Sequence, residues 1–420
     1  MLRLPNPFLA ILLLIAGALA ACSAAAPRAT PRDTLILVSI DGFRADYLER
    51  GLTPNLAAIA RAGVRAQWLQ PAFPTLTFPN HWTLVTGLYP DHHGVVHNRF
   101  RDNALGKRFV YKDDRTTADP RWWGGEPLWV GVQRHGLRSA TMFWPGSNAP
   151  IGGRHPDQWR RYDGDVTADQ RVDQVLDWLD APAAERPAFV TLYFDDVDHA
   201  GHAFGPDAPE LDASLQTVDR AIGRLVAGLA ARDLADRANL VIVSDHGLAA
   251  TDPVHRTFID DLLPLDHVDA VNYGIVAGFE PRPGHEAEVE RALLAPHPWM
   301  TCARKADLPA RLHYGTHPRV PAIVCHATHG GTITTHAYDR EVGRYSRGEH
   351  GYDNTDPAMR ALFVAKGPAF RDDGAVVPAF EGVDVYPLLA HVLGIRPAPN
   401  DGKLERAAAV LREAETARRP

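Results

Sequence analysis

The chain has 420 residues, of which 45% are hydrophobic and 23% charged, which is typical of a globular protein with a substantial core. Its formal net charge of −7 argues against a groove for nucleic acid, because phosphate backbones require basic patches on the protein. The abundance of histidine, at 20 residues, hints at metal or acid–base chemistry.

The N-terminus has the features of an export signal. The apolar stretch FLAILLLIAGALAAC ends in small residues followed by a cysteine, which resembles a lipobox. We expect residues 1–21 to be a signal peptide, Cys22 to carry lipid, and residues 22–33 to form a tether. Ser23 favours sorting to the outer membrane, so the chain is expected in the periplasm, touching the membrane only through its lipid. A plain signal peptide cut nearby, or an uncleaved anchor, is the alternative.

Strands alternate with helices in the segment 34–261. The β-branched run TLILVSI predicts a buried strand, and a helix follows with Thr53 as N-cap, Pro54 at its first position and Gly63 as its stop. Further strands are predicted in LRSATMFW, FVTLYF and NLVIVS, and helices in TADQRVDQVLDWL and ELDASLQTVDRAIGRLVAGLAARD. This alternation predicts an α/β fold with a mostly parallel sheet and helices on both faces.

The pattern changes between residues 262 and 345. Strands in AVNYGIVAGFEP, WMTCARK and VPAIVCHA, with a helix in EAEVERALLA, predict a small α+β insertion that caps the main domain. Residues 346–402 return to the first pattern and complete the α/β core of residues 34–261, and residues 403–420 predict a surface helix or tail.

Two cysteines, Cys302 and Cys325, lie in predicted strands of the insertion. Because an exported chain matures in an oxidising space, we expect a disulfide between them. Two buried thiols are the alternative, since the sequence cannot fix the geometry.

Three predicted strands end in acidic or histidine residues. LVSIDG ends in Asp41, VIVSDHG in Asp245 and His246, and LYFDDVDHAGH in a cluster of both types. Ligand crevices in open α/β sheets lie at the carboxyl ends of strands, so these side chains are expected together. Carboxylate oxygen and imidazole nitrogen suit zinc, and the number of carboxylates indicates two ions.

The third of these strand endings contains two pairs with metal-binding spacing. Asp195 with His199, and Asp198 with His202, are both i, i+4 pairs. Either pair could share a metal if the segment is helical, and spacing alone leaves both open.

Thr77 lies where a short helix begins, because FPNHWTLVTG has Pro79 near its start and Gly87 near its end. Backbone N–H groups and the helix dipole favour an anion at such a position. A hydroxyl next to zinc is also easier to deprotonate. Thr77 is therefore a candidate nucleophile toward phosphorus, although a Thr here could simply cap the helix.

The segment PTLTFPNHWTLVTGLYPDHHGVVHN resembles the signature of the nucleotide pyrophosphatase/phosphodiesterase family, within the alkaline phosphatase superfamily. DVDHAGHAFGP, SDHG and GEHGYDN resemble the metal motifs of that family, and the resemblance extends over roughly residues 34–400. It implies an alkaline-phosphatase-like fold and two Zn²⁺ ions. The implied ligands are Asp198, His202 and His350 for one ion, and Asp41, Asp245, His246 and the Thr77 oxygen for the other.

The resemblance also implies a two-step reaction. Thr77 displaces a leaving group from phosphorus, and water then hydrolyses the phosphoryl-threonine. Asn98, at the end of the first motif, would donate a hydrogen bond to a phosphoryl oxygen. Phe78 and Tyr162 would form two walls around the base of a nucleotide. A core or apolar-pocket role is the alternative for Tyr162.

Several other activities stay open. Relatives also cleave choline or lipid phosphodiesters. A phosphate monoesterase of the superfamily would need extra positive charge, for which Arg160 and Arg161 are available, and a phosphonate hydrolase could use the same metal core. A non-catalytic envelope lipoprotein that binds metal or nucleotide is the remaining alternative. A small-molecule phosphodiester or nucleotide is the expected partner, and the chain is expected to be a monomer or dimer.

Several histidines and tryptophans near the motifs are expected to be structural. The family assigns no metal to the histidines of the first motif, and we interpret His199 as a neighbour of the ligands. These residues are His81, His92, His93, His97, His199, Trp122 and Trp123.

Overall fold

The computed structural model describes residues 33–342 and 345–412. The predicted signal peptide, Cys22, and nearly all of the tether lie outside the described residues. Within the described ranges, no helix combines the length and apolar character needed to cross a membrane.

Twelve strands build the two larger sheets. In chain order they are β1 Thr34–Ile40, β2 Val64–Ala66, β3 Ser139–Met142, β4 Gln158–Arg160, β5 Phe189–Phe194, β6 Ala238–Val243, β7 Val268–Asn272, β8 Val276–Pro281, β9 Met300–Arg304, β10 Ile323–Ala327, β11 Phe363–Lys366 and β12 Ala375–Val377. Short strands pair as Leu69–Gln70 with Phe380–Glu381, Arg99–Asp102 with Lys107–Val110, Ala249–Ala250 with Gly348–Glu349, and Arg256–Phe258 with Thr332–Thr334.

The main sheet has eight strands in the order β12-β2-β11-β6-β1-β5-β3-β4. Strands β6, β1, β5, β3 and β4 run parallel, whereas β11 is antiparallel to both of its neighbours. The predicted α/β class with a mostly parallel sheet is confirmed. The carboxyl ends of β1, β5 and β6 consequently meet at one edge of the sheet.

The α-helices of the described residues are numbered α1 to α12. They are α1 Pro54–Arg61, α2 Thr77–Thr86, α3 Pro90–His93, α4 Asp114–Thr117, α5 Leu128–Arg134, α6 Ala168–Leu179, α7 Asp196–Phe204, α8 Pro209–Ala230, α9 Glu286–Leu293, α10 His336–Val342, α11 Val385–Leu393 and α12 Leu404–Ala407.

Both faces of the main sheet are covered. Side chains of β1 alternate between two hydrophobic clusters, because successive residues of a strand point to opposite faces. Leu35 and Leu37 join the cluster that contains residues of α2, α5 and α11, and Ile36 and Val38 join the one with residues of α1, α6 and α8. Burial on both faces explains the uninterrupted apolar runs of the parallel strands.

Helix α1 begins where the sequence indicates, but its cap differs. The side chain of Thr53 makes no capping hydrogen bond. The buried carboxylate of Asp219, on α8, instead accepts hydrogen bonds from the backbone N–H groups of Asn55 and Leu56, at 3.1 and 2.8 Å. Thr53 thus occupies the N-cap position that the sequence predicts, but a charged acceptor from another helix makes the capping hydrogen bonds in place of its side chain.

The insertion contains an antiparallel sheet in the order β7-β8-β10-β9, together with α9 and a core of its own. Cys302 and Cys325 lie opposite each other on β9 and β10, and the structure joins them by a disulfide. The boundaries of this lobe, 262–345, stay a prediction.

Candidate active site

Three residues gather at the carboxyl edge of the main sheet. Asp41 directly follows β1, and Asp245 and His246 follow β6 after one residue. His246 Nε2 lies 3.0 Å from Asp245 Oδ2 and 3.4 Å from Asp41 Oδ1, and all three side chains are buried. The parallel strands therefore deliver one ligand set for a cation, as the sequence predicts.

A second candidate set lies beside the first and contains one of the two i, i+4 pairs, Asp198 with His202. Helix α7 places His202 Nε2 3.4 Å from Asp198 Oδ1, and His350 Nε2 lies 3.7 Å from the same oxygen. The rings of His246 and His350 stack with their centroids 3.6 Å apart, so the two sets are neighbours.

Asp195 and His199 do not belong to either set. Asp195 is buried and accepts hydrogen bonds from Arg171 Nη1, at 2.8 Å, and from the hydroxyl of Tyr162. His199 is largely exposed, and its Nδ1 stays 3.9 Å from Asp195. The role of Asp195 is thus electrostatic and structural, while Asp198, three residues later, faces the cation site.

Each of the three candidate imidazole ligands is oriented by a backbone carbonyl. Nδ1 of His246, His202 and His350 lies 3.0, 2.8 and 2.8 Å from the oxygens of Gly247, Gly348 and Thr75, respectively. An Nδ1–H donated to a carbonyl leaves the Nε2 lone pair free, which is how metal-binding histidines are usually held.

The carboxylates of both sets contain oxygens that fit a bound cation. Within the part of the chain that the structure describes, Asp41 Oδ1, Asp198 Oδ1 and Asp245 Oδ2 are buried and have no hydrogen-bond partner. A buried carboxylate oxygen without a partner costs free energy, which a divalent cation would offset. The donor set of these residues therefore fits two divalent metal ions.

Charges at this edge act strongly on one another. Burial raises the pKa of Asp41 well above its usual range, and the negative charges of Asp245 and Asp198 raise it further. Burial opposes protonation of His202, but the charges of Asp198 and Glu349 outweigh it and raise the pKa of His202 to about 10. Negative charge is thus concentrated where a cation would be held.

Thr77 is the first residue of α2, and no side chain caps this helix at Leu76. Thr77 Oγ1 lies 3.4 Å from Nε2 of His246. The hydroxyl is thus next to the first ligand set and at the positive end of a helix dipole, where an anion is favoured.

Asn98 is held directly beside Thr77. Its Oδ1 accepts a hydrogen bond of 2.9 Å from the backbone N–H of Phe78, which leaves the side-chain NH₂ group to donate to another acceptor. The ring of Phe78 packs edge-on against those of Phe109 and Tyr111, with centroids 5.9 and 5.6 Å apart.

Tyr162 presents an aromatic ring that is not part of the core. The residue is 51% exposed, and its ring packs edge-on against Phe143. Asp195 fixes the hydroxyl of this half-exposed ring, so the ring could stack on a flat ligand. A residue packed in the core would not be exposed to this extent.

The other residues singled out in the sequence lie outside the two ligand sets. Arg160 donates to Gln174, and Arg161 pairs with Asp114, both on exposed surface. His92 is exposed, whereas four further residues are buried and hydrogen-bonded or packed in the core. These four are His93, His97, Trp122 and Trp123.

Comparisons with known proteins identify the family of this chain. Residues 35–353 match the family model for type I phosphodiesterase / nucleotide pyrophosphatase. The chain belongs to this family. A pyrophosphatase/phosphodiesterase of Schizosaccharomyces pombe, itself uncharacterized, is 37% identical over 388 residues, which are 90% of this chain and 80% of the relative.

Longer members of the phosphodiesterase family are also similar. Ectonucleotide pyrophosphatase/phosphodiesterase family member 3 of Bos taurus is 37% identical over 88% of this chain, but the match spans only 43% of that relative. Among solved structures, an inactive variant of murine ectonucleotide pyrophosphatase/phosphodiesterase 5 in complex with AMP has a TM-score of 0.86 at 33% identity, over 91% of this chain and all of that chain.

His81, within the signature of this phosphodiesterase, has more contacts than the sequence suggested. Its Nδ1 lies 2.9 Å from the carbonyl oxygen of Thr77 and 3.2 Å from Asp245 Oδ2, and its Nε2 lies 2.9 Å from Ser39 Oγ. We expected a packing or surface residue, but His81 joins the helix that carries Thr77 to a candidate ligand. The spacing of four residues from Thr77, which places both on one helix face, is the signal that could have revealed it.

Proposed function

We propose that this phosphodiesterase hydrolyses nucleotide phosphodiester or pyrophosphate bonds with two zinc ions, through a phosphoryl-threonine intermediate, and releases a nucleoside monophosphate. The observation that carries the proposal is the position of Thr77. Its Oγ1 is 3.4 Å from His246 Nε2, at the first residue of α2 and beside two carboxylate–histidine sets. An oxygen nucleophile, an anion-binding backbone and cation ligands thus converge on one point.

The residues of the chain have separate tasks in this reaction. Thr77 Oγ1 forms a bond to phosphorus while the bond to the leaving oxygen breaks, and a water oxygen later replaces Thr77. The NH₂ group of Asn98 and the start of α2 stabilise charge on the phosphoryl oxygens. Zinc held by the two sets would supply Lewis acidity that favours the ionised hydroxyl and neutralises phosphoryl charge.

Aromatic side chains support a nucleotide as the substrate. Phe78 follows the nucleophile directly, and Tyr162 offers a half-exposed ring. Base–aromatic stacking contributes about 1–3 kcal/mol per base and tolerates different bases. The murine relative, whose structure contains AMP, supports the same substrate class for this chain.

Substrate preference tests the proposal. The full chain, purified and loaded with zinc, is compared on a nucleoside-monophosphate p-nitrophenyl ester, bis-p-nitrophenyl phosphate and p-nitrophenyl phosphate. We expect a strong preference for the nucleotide ester, which Thr77→Ala abolishes while its zinc content stays equal to that of the unchanged chain. Equal rates for Thr77→Ala and the unchanged chain would overturn the proposed nucleophile.

A phosphate monoesterase is the alternative that this assay addresses directly. It would prefer p-nitrophenyl phosphate and would lose activity when Arg160 and Arg161 are replaced. The structure engages both guanidinium groups with other partners on the surface, which favours the diesterase. Preference for bis-p-nitrophenyl phosphate over the nucleotide ester would instead indicate a choline- or lipid-type diesterase.

We also propose export to the periplasm and attachment through lipid on Cys22. Incorporation of labelled palmitate into the chain, lost in Cys22→Ala, tests this assignment. Release of the unchanged chain from membranes without detergent would contradict it.

A further inference from the structure

The inserted lobe contains a third group of side chains with metal-binding character, away from the proposed catalytic residues. His267 ends a short 3₁₀ turn immediately before β7, His285 directly precedes α9, and Glu288 lies in the first turn of that helix. One possible ligand atom from each residue lies within 4.8 Å of those from the other two. We call these residues the lobe triad.

The two distances within the lobe triad lie on either side of the separation between the ligands of a tetrahedral metal. Glu288 Oε2 is 2.9 Å from His267 Nδ1 and 3.5 Å from His285 Nδ1. Zinc ligands at about 2.0–2.1 Å in a tetrahedral arrangement are separated by roughly 3.3–3.4 Å. The corresponding oxygen-to-nitrogen distances in the two active-site sets are 3.0 to 3.7 Å.

One nitrogen of the lobe triad is buried without a hydrogen bond. Among the described residues, His267 Nδ1 has no hydrogen-bond partner, although Glu288 Oε2 lies 2.9 Å away. The two imidazole rings stack with their centroids 3.7 Å apart, so both Nδ1 atoms face the same carboxylate. A cation bound by His267 Nδ1, His285 Nδ1 and Glu288 Oε2 would give the buried nitrogen a partner. It would also take the place of a proton shared between the imidazoles and the carboxylate.

The backbone holds the lobe triad in place. The carbonyl of His267 accepts from the N–H of Arg282, and the carbonyl of Arg282 accepts from the N–H of His285, at 2.9 and 3.0 Å. Val268 and Val289, which directly follow two of the triad residues, are both buried in the lobe core. The ligand atoms are thus preorganised by two elements that pack on the same core.

We propose that His267, His285 and Glu288 bind a third divalent transition-metal cation, which fastens the start of β7 to helix α9. Two imidazoles and one carboxylate suit Zn²⁺, with water completing the coordination shell. The half-exposed position of the triad gives a metal access from solvent. This site would stabilise the lobe and take no part in hydrolysis.

Metal content tests the third site directly. The full chain, His285→Ala and Glu288→Gln are each dialysed against Zn²⁺ or Co²⁺, freed of loosely held metal, and measured by mass spectrometry of the elements. We expect each triad variant to hold one ion fewer per chain than the unchanged protein, with nucleotide-ester hydrolysis unaltered. Equal metal content in the variants and the unchanged chain would overturn the proposal.

His92→Asn serves as the matched control, because His92 is an exposed histidine paired with one carboxylate, Asp401. This variant should keep the full metal content. As a second readout, added Zn²⁺ should raise the Tm of the active-site variant Asp198→Asn, and this increase should become smaller when Glu288→Gln is added. An increase of the same size with and without Glu288→Gln would also overturn the proposal.

Discussion

The hydroxyl of Tyr162 donates a hydrogen bond to the carboxylate of Asp195, which in turn is paired with the buried guanidinium of Arg171. The hydroxyl of the half-exposed Tyr162 ring is therefore held in place by buried residues. Asp195 lies three residues before Asp198, so one short segment supports both a possible base wall and a candidate metal ligand.

We expect Asp195→Asn to weaken nucleotide binding more than it slows the chemistry. The amide keeps the shape but loses the charge that holds Tyr162 and Arg171. The KM for a nucleoside-monophosphate p-nitrophenyl ester should rise about three- to tenfold, while bis-p-nitrophenyl phosphate, which has no base, changes little. Tyr162→Phe is the matched control and should reproduce part of the effect. Equal losses on both substrates would show that Asp195 acts on the metal set instead.

His81→Ala should lower metal affinity without removing a ligand. Because His81 contacts both Asp245 and the carbonyl of Thr77, its loss frees a candidate ligand and the first turn of α2. Loss of such a supporting contact typically costs 10- to 100-fold in metal affinity. Titration with a zinc chelator would measure this change, and excess zinc should restore most of the activity. An unchanged chelator midpoint would refute the supporting role.

Asp219→Ala should destabilise the protein by about 1–2 kcal/mol, because it removes the acceptor for the first N–H groups of α1. Chemical denaturation of the full chain measures the loss, and hydrolysis should be unaffected at 25 °C. Thr53→Ala is the control and should change the free energy of unfolding little, since its hydroxyl makes no capping bond. The reverse order of effects would restore Thr53 as the cap.

Removal of the disulfide should destabilise the inserted lobe. Cys302 and Cys325 are separated by 23 positions, and closing a loop of this size contributes roughly 3 kcal/mol in the chain-entropy model. In the double variant Cys302→Ser with Cys325→Ala, protease cleavage should become faster within the lobe, while the main sheet stays protected. Limited proteolysis followed by mass spectrometry would locate the sites. Cleavage at unchanged rates would show that the bridge adds little.

The main sheet, and the acidic residues at the carboxyl ends of its strands, could be predicted from the sequence because the signals lie in short stretches of the chain. Uninterrupted apolar runs identify buried parallel strands, and Asp41 and Asp245 follow such runs directly. The choice of Asp198 over Asp195 was not local, because both carboxylates have a histidine four residues later. In the sequence only the family resemblance distinguishes them, whereas in the structure the positions of Arg171 and His350 do.

Other contacts required the fold itself. Asp219 replaces Thr53 as a cap from more than 160 residues away, and no spacing rule connects them. His81 resembled a packing residue because two of its partners, Ser39 in β1 and Asp245 just after β6, are distant from it in sequence. His350 was found only through the family resemblance, since nothing around it marks it among the 20 histidines.

The two ligand sets draw on both ends of the catalytic core, from Asp41 after the first strand to His350 near the return of the chain. A nascent or truncated chain that has formed the central parallel strands would still lack the last imidazole. Contacts between residues distant in sequence form slowly, and metal binding is coupled to folding. We therefore expect both ions to bind only at the end of folding. Hydrolytic activity would then appear only once the chain has folded completely, and a partly folded chain would be inactive.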